Sequence, residues 1–298
     1  MHKTFEMNLP KLIEHFHSDE KCRSYLEAMR WPKGIACPRC GATTISLIQK
    51  RDQFDCNSCR YQFSVTAGTI FHDSKLPLWK WFLAAYIMTE SKKGVSANQM
   101  KRMLSVSYKT AWYLCHRIRA AMKEGTVRPL SGVVEVDETY IGGRRKGVGQ
   151  GSRRHKTMVV GAVERGGRVS LRVDKRATKK TLHAFVNAVV SDNAEAIYTD
   201  EWKGYRGIGD ENTRHETVNH SEEEWVRADV HTNTVEGVWS LFKRSIVGSY
   251  HQLSAKHLDS YLDEMAWRFN NRDNPYLFRD TLVRLVGAET LEYKELIS

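Results

Sequence analysis

The sequence predicts an α/β protein: a mixed sheet flanked by helices, preceded by a small zinc ribbon and a helical, helix-turn-helix-like region. Three observations predict it. After residue 129 apolar strand-like runs alternate with a helical one. Two C-x-x-C pairs stand 15 residues apart, ribbon spacing for four thiolates. Two short amphipathic segments meet at a serine-bounded turn within 96–120.

Composition narrows the function. With 298 residues the chain divides naturally into two or three units, and 41% hydrophobic residues supply a core, which excludes wholesale disorder. Lys and Arg number 46 against 35 acids, a net charge of +11 that favours polyanion partners, although a merely basic, soluble surface carries the same surplus. There is no run of 18 apolar residues and no signal-peptide core near the N-terminus, so the expectation is a cytoplasmic protein with no membrane partner. Its six cysteines are then reduced, and paired ones indicate metal rather than disulfide.

In chain order, residues 1–30 form a helical lead-in, with Leu9, Leu12, Ile13 and Phe16 at helical spacing. Residues 31–75 hold the ribbon, where Cys37, Cys40, Cys56 and Cys59 aim four sulfurs at one tetrahedral Zn²⁺ and leave no position open for substrate. Lone Cys22 and Cys115 read as buried thiols. Residues 76–128 begin with the apolar helix WKWFLAAYIM, whose aromatics belong to a core. The helical pair follows. In its second helix Ala111, Leu114, Cys115 and Ile118 face inward, leaving Lys109, Thr110, Tyr113 and Arg117 outward for a major groove. A plain helical hairpin fits the same pattern. Residues 129–285 form the sheet domain, from VVEVDETYIG, TMVVGAV and VSLRVD through the helix TKKTLHAFVNAVV to AIYTD, and 286–298 form a C-terminal tail.

Chemistry concentrates in that sheet domain. Asp137 and Asp200 each close an apolar strand, where carboxylates of adjacent strands can converge on a metal at the sheet rim; taken singly, either is equally a turn residue. A helix beginning near Asn233 carries Val235, Val238, Trp239, Phe242 and Ile246 on one stripe and Asn233, Glu236, Ser240 and Lys243 on the other. Glu236 can thus reach metal and Lys243 a phosphate, while Asn233-x-x-Glu236 also matches a capping box. Two strand-end aspartates with a helix-borne glutamate suit a pair of divalent ions about 3.5–4 Å apart. The stretch 142–156 combines five glycines with Arg144, Arg145, Lys146, Arg153, Arg154 and Lys156, a loop expected to order on DNA phosphates.

The motifs CPRCG…CNSCRYQFSVTAGTIFHDSKLPLWKWF, VDETYIGG, YTDEW, HTNTVEGVWSLFKR and LDEMAWRFNNR resemble, almost end to end, the ISXO-two-like (IS fifteen-ninety-five) family of bacterial insertion-sequence transposases. The resemblance implies an RNase H-like core of DDE type, with Asp137 and Asp200 as the first two acids. For the third position one helix N-terminus offers both Glu236 and Asn233, Glu236 being favoured because an anionic oxygen binds a hard cation better than an amide. Lys243 matches the basic residue that follows, and His231 either assists or precedes the cap. The expected partners are DNA, as the element's terminal inverted repeats and its target, and a second copy of the chain in a dimer or larger assembly on the nucleoid. The expected cofactors are two Mg²⁺ (or Mn²⁺) ions and one structural Zn²⁺. One catalytic ion, on Asp137 and Asp200, would activate water; the other, on Asp137 and Glu236, would stabilise the departing 3′-oxygen, after which the 3′-hydroxyl attacks target DNA. A nuclease that cleaves without rejoining, and a zinc-ribbon DNA-binding regulator with a vestigial core, share these features.

Overall fold

Capping residues set the first helices. In the computed structural model, which describes residues 6–126, 128–142, 155–209, 213–218, 226–227, 229–251 and 253–298, α1 (Leu9–His15) and α2 (Asp19–Arg30) begin at Asn8 and Ser18, whose side chains accept backbone N–H groups of the first turn. The ribbon follows as an antiparallel sheet, β1 (Ile45–Ile48), β2 (Gln53–Cys56) and β3 (Gln62–Phe63), with Trp31, Phe54 and Phe63 packed edge-on around its centre. Helix α3 (Leu78–Glu90) buries Trp81, Phe82 and Met88, so two of its aromatics are core as expected, while Trp79 is exposed and Tyr86 half-buried. Next come α4 (Ala97–Leu104) and α5 (Tyr108–Met122), capped by Ser96 and Ser107 and joined through Ser105 in the left-handed region at φ 49°. The expected pair of helices across a tight turn is therefore formed.

The chain divides into two compact units, Glu124–Asn270 being one and Met1–Lys123 with Asn271–Ser298 the other. The first holds a five-stranded sheet built from β4 (Val133–Ile141), β5 (Thr157–Glu164), β6 (Val169–Asp174), β7 (Ala196–Asp200) and β8 (Arg214–Val218), with α6 (Lys179–Val189) crossing from β6 to β7. Its order is β6-β5-β4-β7-β8, antiparallel on the β6 side of β4 and parallel on the β8 side. That mixed sheet with a crossover helix is an RNase H-like arrangement. Strand β8, RHETV, has no apolar run, and among the described strands of this sheet it is the one the sequence reading misses.

Both sheet faces are covered, which explains why β5 is apolar without alternation. Val134, Val136, Val160 and Ala162 pack on α6, while Val159 and Val163 pack on α7 (Asn233–Ser245) and α8 (Leu258–Asn270). The chain then returns to the other unit, and this corrects the expected boundary of the sheet domain. Its packing ends at Asn270 rather than residue 285, because α9 (Leu277–Gly287) buries Phe278, Leu282 and Leu285 against α2, α3 and α5. The Phe278 ring lies 6.2 Å from Phe16 and 6.1 Å from Phe82. The tail contains a last short helix, α10 (Tyr293–Ile297).

Candidate active site

Strand parity places the first two acids. On β4, Val134 and Val136 face α6, so Glu135 and Asp137 face α7. Strand β7 runs parallel to β4 with Val133 beside Ala196 and Glu135 beside Tyr198, an offset of 63 (196 − 133). The same offset carried two residues further (200 − 137 = 63) brings Asp137 level with Asp200 on that face. The charges register each other: burial first, then the carboxylates of Glu138 and Asp200, push Asp137 up to about 7. Asp200 is held by its own turn, its Oδ1 accepting the Trp202 backbone N–H at 3.0 Å.

Helix α7 brings the third. Glu236, Ser240 and Lys243 are exposed on one side of the helix and line, with Asp137 and Glu138, an open cleft of ≈ 680 Å³. Asn233 is exposed too, at the first helical position one turn earlier; neither it nor Asp200 is among the residues that line this cleft. The capping-box alternative fails here. Thr232, not Asn233, precedes the helix, and no side chain of the helix's own sequence caps it. The cap comes from β4 instead. Glu135, fully buried, accepts Thr234 N–H at 2.7 Å, Thr234 Oγ1–H at 2.8 Å and Val235 N–H at 3.0 Å, and pairs with Arg165 at 2.6 Å. His231 lies 3.3 Å from the same carboxylate, so it belongs to this cap.

Sequence reasoning misses three further residues. Trp239 Nε1 donates to Asp137 Oδ2 at 2.9 Å, and the indole occupies space left by Gly161, where a Cβ would lie 2.6 Å from Trp239 Cη2. On the opposite sheet face, buried Tyr205 donates its hydroxyl to Glu138 at 2.8 Å. Trp239 and Tyr205 read as core aromatics, and nothing local distinguishes Gly161.

The donor set suits hard divalent cations, being oxygen only and crowded with like charge. The three acids do not gather as tightly as four ligands on one ion; among the described residues only the cysteines do, with all four sulfurs within 4.8 Å. A pair of ions about 3.5–4 Å apart keeps its outer two ligands well separated. The cysteines fit one zinc ion: Cys37 Sγ–Cys59 Sγ is 3.7 Å and Cys40 Sγ–Cys56 Sγ 3.6 Å, against a tetrahedral edge of about 3.8 Å for Zn–S bonds near 2.3 Å. Each knuckle closes by a backbone bond, Gly41 N–H to Cys37 O and Arg60 N–H to Cys56 O, with Gly41 at φ +74°.

The outward face of α5 needs correction. Lys109 is exposed and Thr110 and Tyr113 are half-buried, but Arg117 is 3% exposed. Its guanidinium donates to His72 O at 2.6 Å and lies 5.0 Å over Trp81 and 5.2 Å over Tyr113. Helical spacing on α5 brings Tyr113 beside Arg117 but cannot reveal His72 and Trp81, which come from elsewhere in the chain. The Tyr113 hydroxyl donates to Leu291 O at 2.5 Å, and Lys109 Nζ sits 4.3 Å over the Tyr293 ring. Lys156 is exposed just before β5; Arg144, Arg145, Lys146, Arg153 and Arg154 lie outside the described residues.

Residues 129–270 match the family described as the ISXO2-like transposase domain, and residues 17–62 match the transposase zinc-ribbon domain. The chain is 30% identical over 271 residues, 84% of its length and 90% of the relative's, to an uncharacterized protein in transposable element ISH50 of Halobacterium salinarum. Among solved structures, it shares 12% identity with the Mos1 strand transfer complex over 67% of this chain and 76% of that one, at a TM-score of 0.28. With a simian T-cell lymphotropic virus intasome it shares 16% identity over 70% of each chain, at a TM-score of 0.26.

Proposed function

This chain belongs to the ISXO2-like transposase family, and on that premise we propose that it cuts the ends of its own insertion sequence and joins the freed 3′-ends to target DNA. The observation that carries the reading is that Asp137, beside Asp200 in strand register, accepts a hydrogen bond from the helix that also carries Glu236. Asp137 and Asp200 would hold one divalent ion, and Asp137 and Glu236 another. Such ions supply activation of water or of a 3′-hydroxyl and stabilisation of the leaving oxygen. The protein's own groups do the rest. Lys243, two turns beyond Glu236 in the same cleft, holds a phosphate as a point charge. The buried cap on Glu135 keeps the first turn of α7 fixed while DNA is exchanged. Direct in-line displacement needs no protein nucleophile.

DNA is held by Lys109 and Thr110 at the start of α5 and by Lys156 with Arg144, Arg145, Lys146, Arg153 and Arg154, in proteins paired on two ends on the nucleoid. Arg117 supports α5 from within. The cysteine ribbon holds a structural zinc ion.

Integration from a donor plasmid carrying the DNA that flanks this gene tests the reading. Asp200→Asn and Glu236→Gln each reduce integration at least 100-fold with end binding intact, and Asn233→Ala does not. Loss in Asn233→Ala alone moves the third position to the asparagine. End binding without integration by the wild type leaves a regulator, and cleavage without joining leaves a nuclease.

A further inference from the structure

Two pins fasten α7 to β4, and they match in spacing. Glu135 caps Thr234 and Val235, and Asp137 accepts the Trp239 indole N–H. Two residues along a strand advance about 6.6 Å, and four to five along a helix about 6–7.5 Å, so both pins close without bending either element. The second pin joins one proposed metal ligand to the helix that carries another: Trp239 lies three residues after Glu236 and four before Lys243, beneath the face that lines the cleft. A third strand makes room for it. In the β4–β5 register Gly161 sits opposite Asp137, and its missing side chain leaves the slot in which the indole lies.

We propose that Trp239, seated in the slot left by Gly161, is a positioning residue for the proposed metal site: its N–H fixes the rotation of the Asp137 carboxylate and its distance from Glu236. The inference rests on the reading of Asp137 and Glu236 as metal ligands. An apolar side chain of similar size would serve packing equally well, so the N–H is the part that packing leaves unexplained. Hydrogen-bond partners of metal ligands are worth about 10–100-fold in metal affinity or activity when lost.

The test is Mn²⁺ binding to the full-length protein without DNA, followed by calorimetry, beside cleavage of a labelled terminal-repeat duplex at varied Mn²⁺. Trp239→Phe keeps an aromatic ring at the slot and removes the donor. It is expected to melt within a few degrees of wild type, bind Mn²⁺ about 10–100-fold more weakly and need correspondingly more Mn²⁺ for half-maximal cleavage. Gly161→Ala pushes the indole away and shows the same weakening. In the Trp239→Phe background Gly161→Ala adds little, because the donor is already gone. Wild-type Mn²⁺ affinity in Trp239→Phe overturns the proposal, as does a loss that appears only together with a collapse in melting temperature. Asp137→Asn separates the two levels. If it loses Mn²⁺ while Trp239→Phe does not, only the positioning role fails; if it binds Mn²⁺ as wild type does, the metal-ligand reading of Asp137 fails with it.

Discussion

Asp137 carries a conflict that a metal-binding carboxylate is expected to carry. Its neighbours Glu138 and Asp200 are both acids, it is largely removed from water, and its pKa is pushed up to about 7. In the unfolded chain an aspartate titrates near 3.9, so between about pH 4 and pH 7 the folded metal-free protein holds a proton that the unfolded chain has lost. Stability therefore falls as pH rises through that window, and the full destabilisation is present above pH 7. Asp137→Asn removes the charge and still offers an oxygen to the Trp239 indole. In the presence of a chelator at pH 8 we expect it to stabilise the protein by about 1–3 kcal/mol, a few degrees in melting temperature. The gain should vanish near pH 4, where the wild-type carboxyl is also neutral. A gain independent of pH, or none, shows that Asp137 is not under electrostatic strain. Glu135 lies two residues away on the same strand face. It is more deeply buried, yet it is surrounded by donors, with Arg165 and two backbone N–H groups satisfying it.

At the scale of elements, what the sequence made legible was whatever a single segment encodes. Apolar runs ending in an acid marked β4 and β7, although Asp137 proves to sit mid-strand, β4 running on to Ile141; the stripe through Val235, Trp239 and Phe242 marked the buried side of α7; four cysteines at ribbon spacing marked the knuckles. What stayed hidden depends on a second segment. The cap of α7 comes from Glu135, about a hundred residues earlier, so the local motif could offer only a capping box, which does not form. Strand β8 is recognisable only by its pairing with β7. Helix α5 shows the same limit: periodicity sorted its buried apolar face correctly but put Arg117 on the wrong side. The two cations of this helix should separate in experiment. Lys109→Ala is expected to leave melting unchanged and lower the slope of log affinity for end DNA against log salt by about one. Arg117→Ala is expected to cost about 2–4 kcal/mol of stability by leaving His72 O and the Trp81 face unpartnered, with the salt slope unchanged in the fraction still folded. A folded Arg117→Ala protein with a reduced slope returns that residue to the DNA surface.

At the scale of the molecule, the sheet unit has the character of an insertion between the two halves of the other unit. Its first and last residues are tied to one another: Asn270 Nδ2 donates to Glu124 Oε1 at 3.3 Å, and Arg168 pairs with Glu124 at 2.7 Å. Asn270 also grips β6 by its side chain, accepting Val169 N–H at 2.7 Å and donating to Val169 O at 3.0 Å. A unit whose ends meet, and whose two faces are closed by its own α6 and by α7 with α8, needs nothing outside itself to bury its core. The other unit is not self-sufficient in the same way, because Phe278, Leu282 and Leu285 reach it only after the sheet domain has been traversed. The fragment 124–270 is therefore expected to fold alone and to unfold in one cooperative transition. The fragment 1–123 is expected to retain its zinc ribbon but expose the pocket around Phe16 and Phe82, binding a hydrophobic dye and losing protection of α3 in hydrogen exchange. Adding residues 271–298 back as a separate peptide should restore that protection. If 1–123 is instead fully protected on its own, α9 is an ornament on a finished core, and the chain reads as three domains in series rather than one unit set inside another.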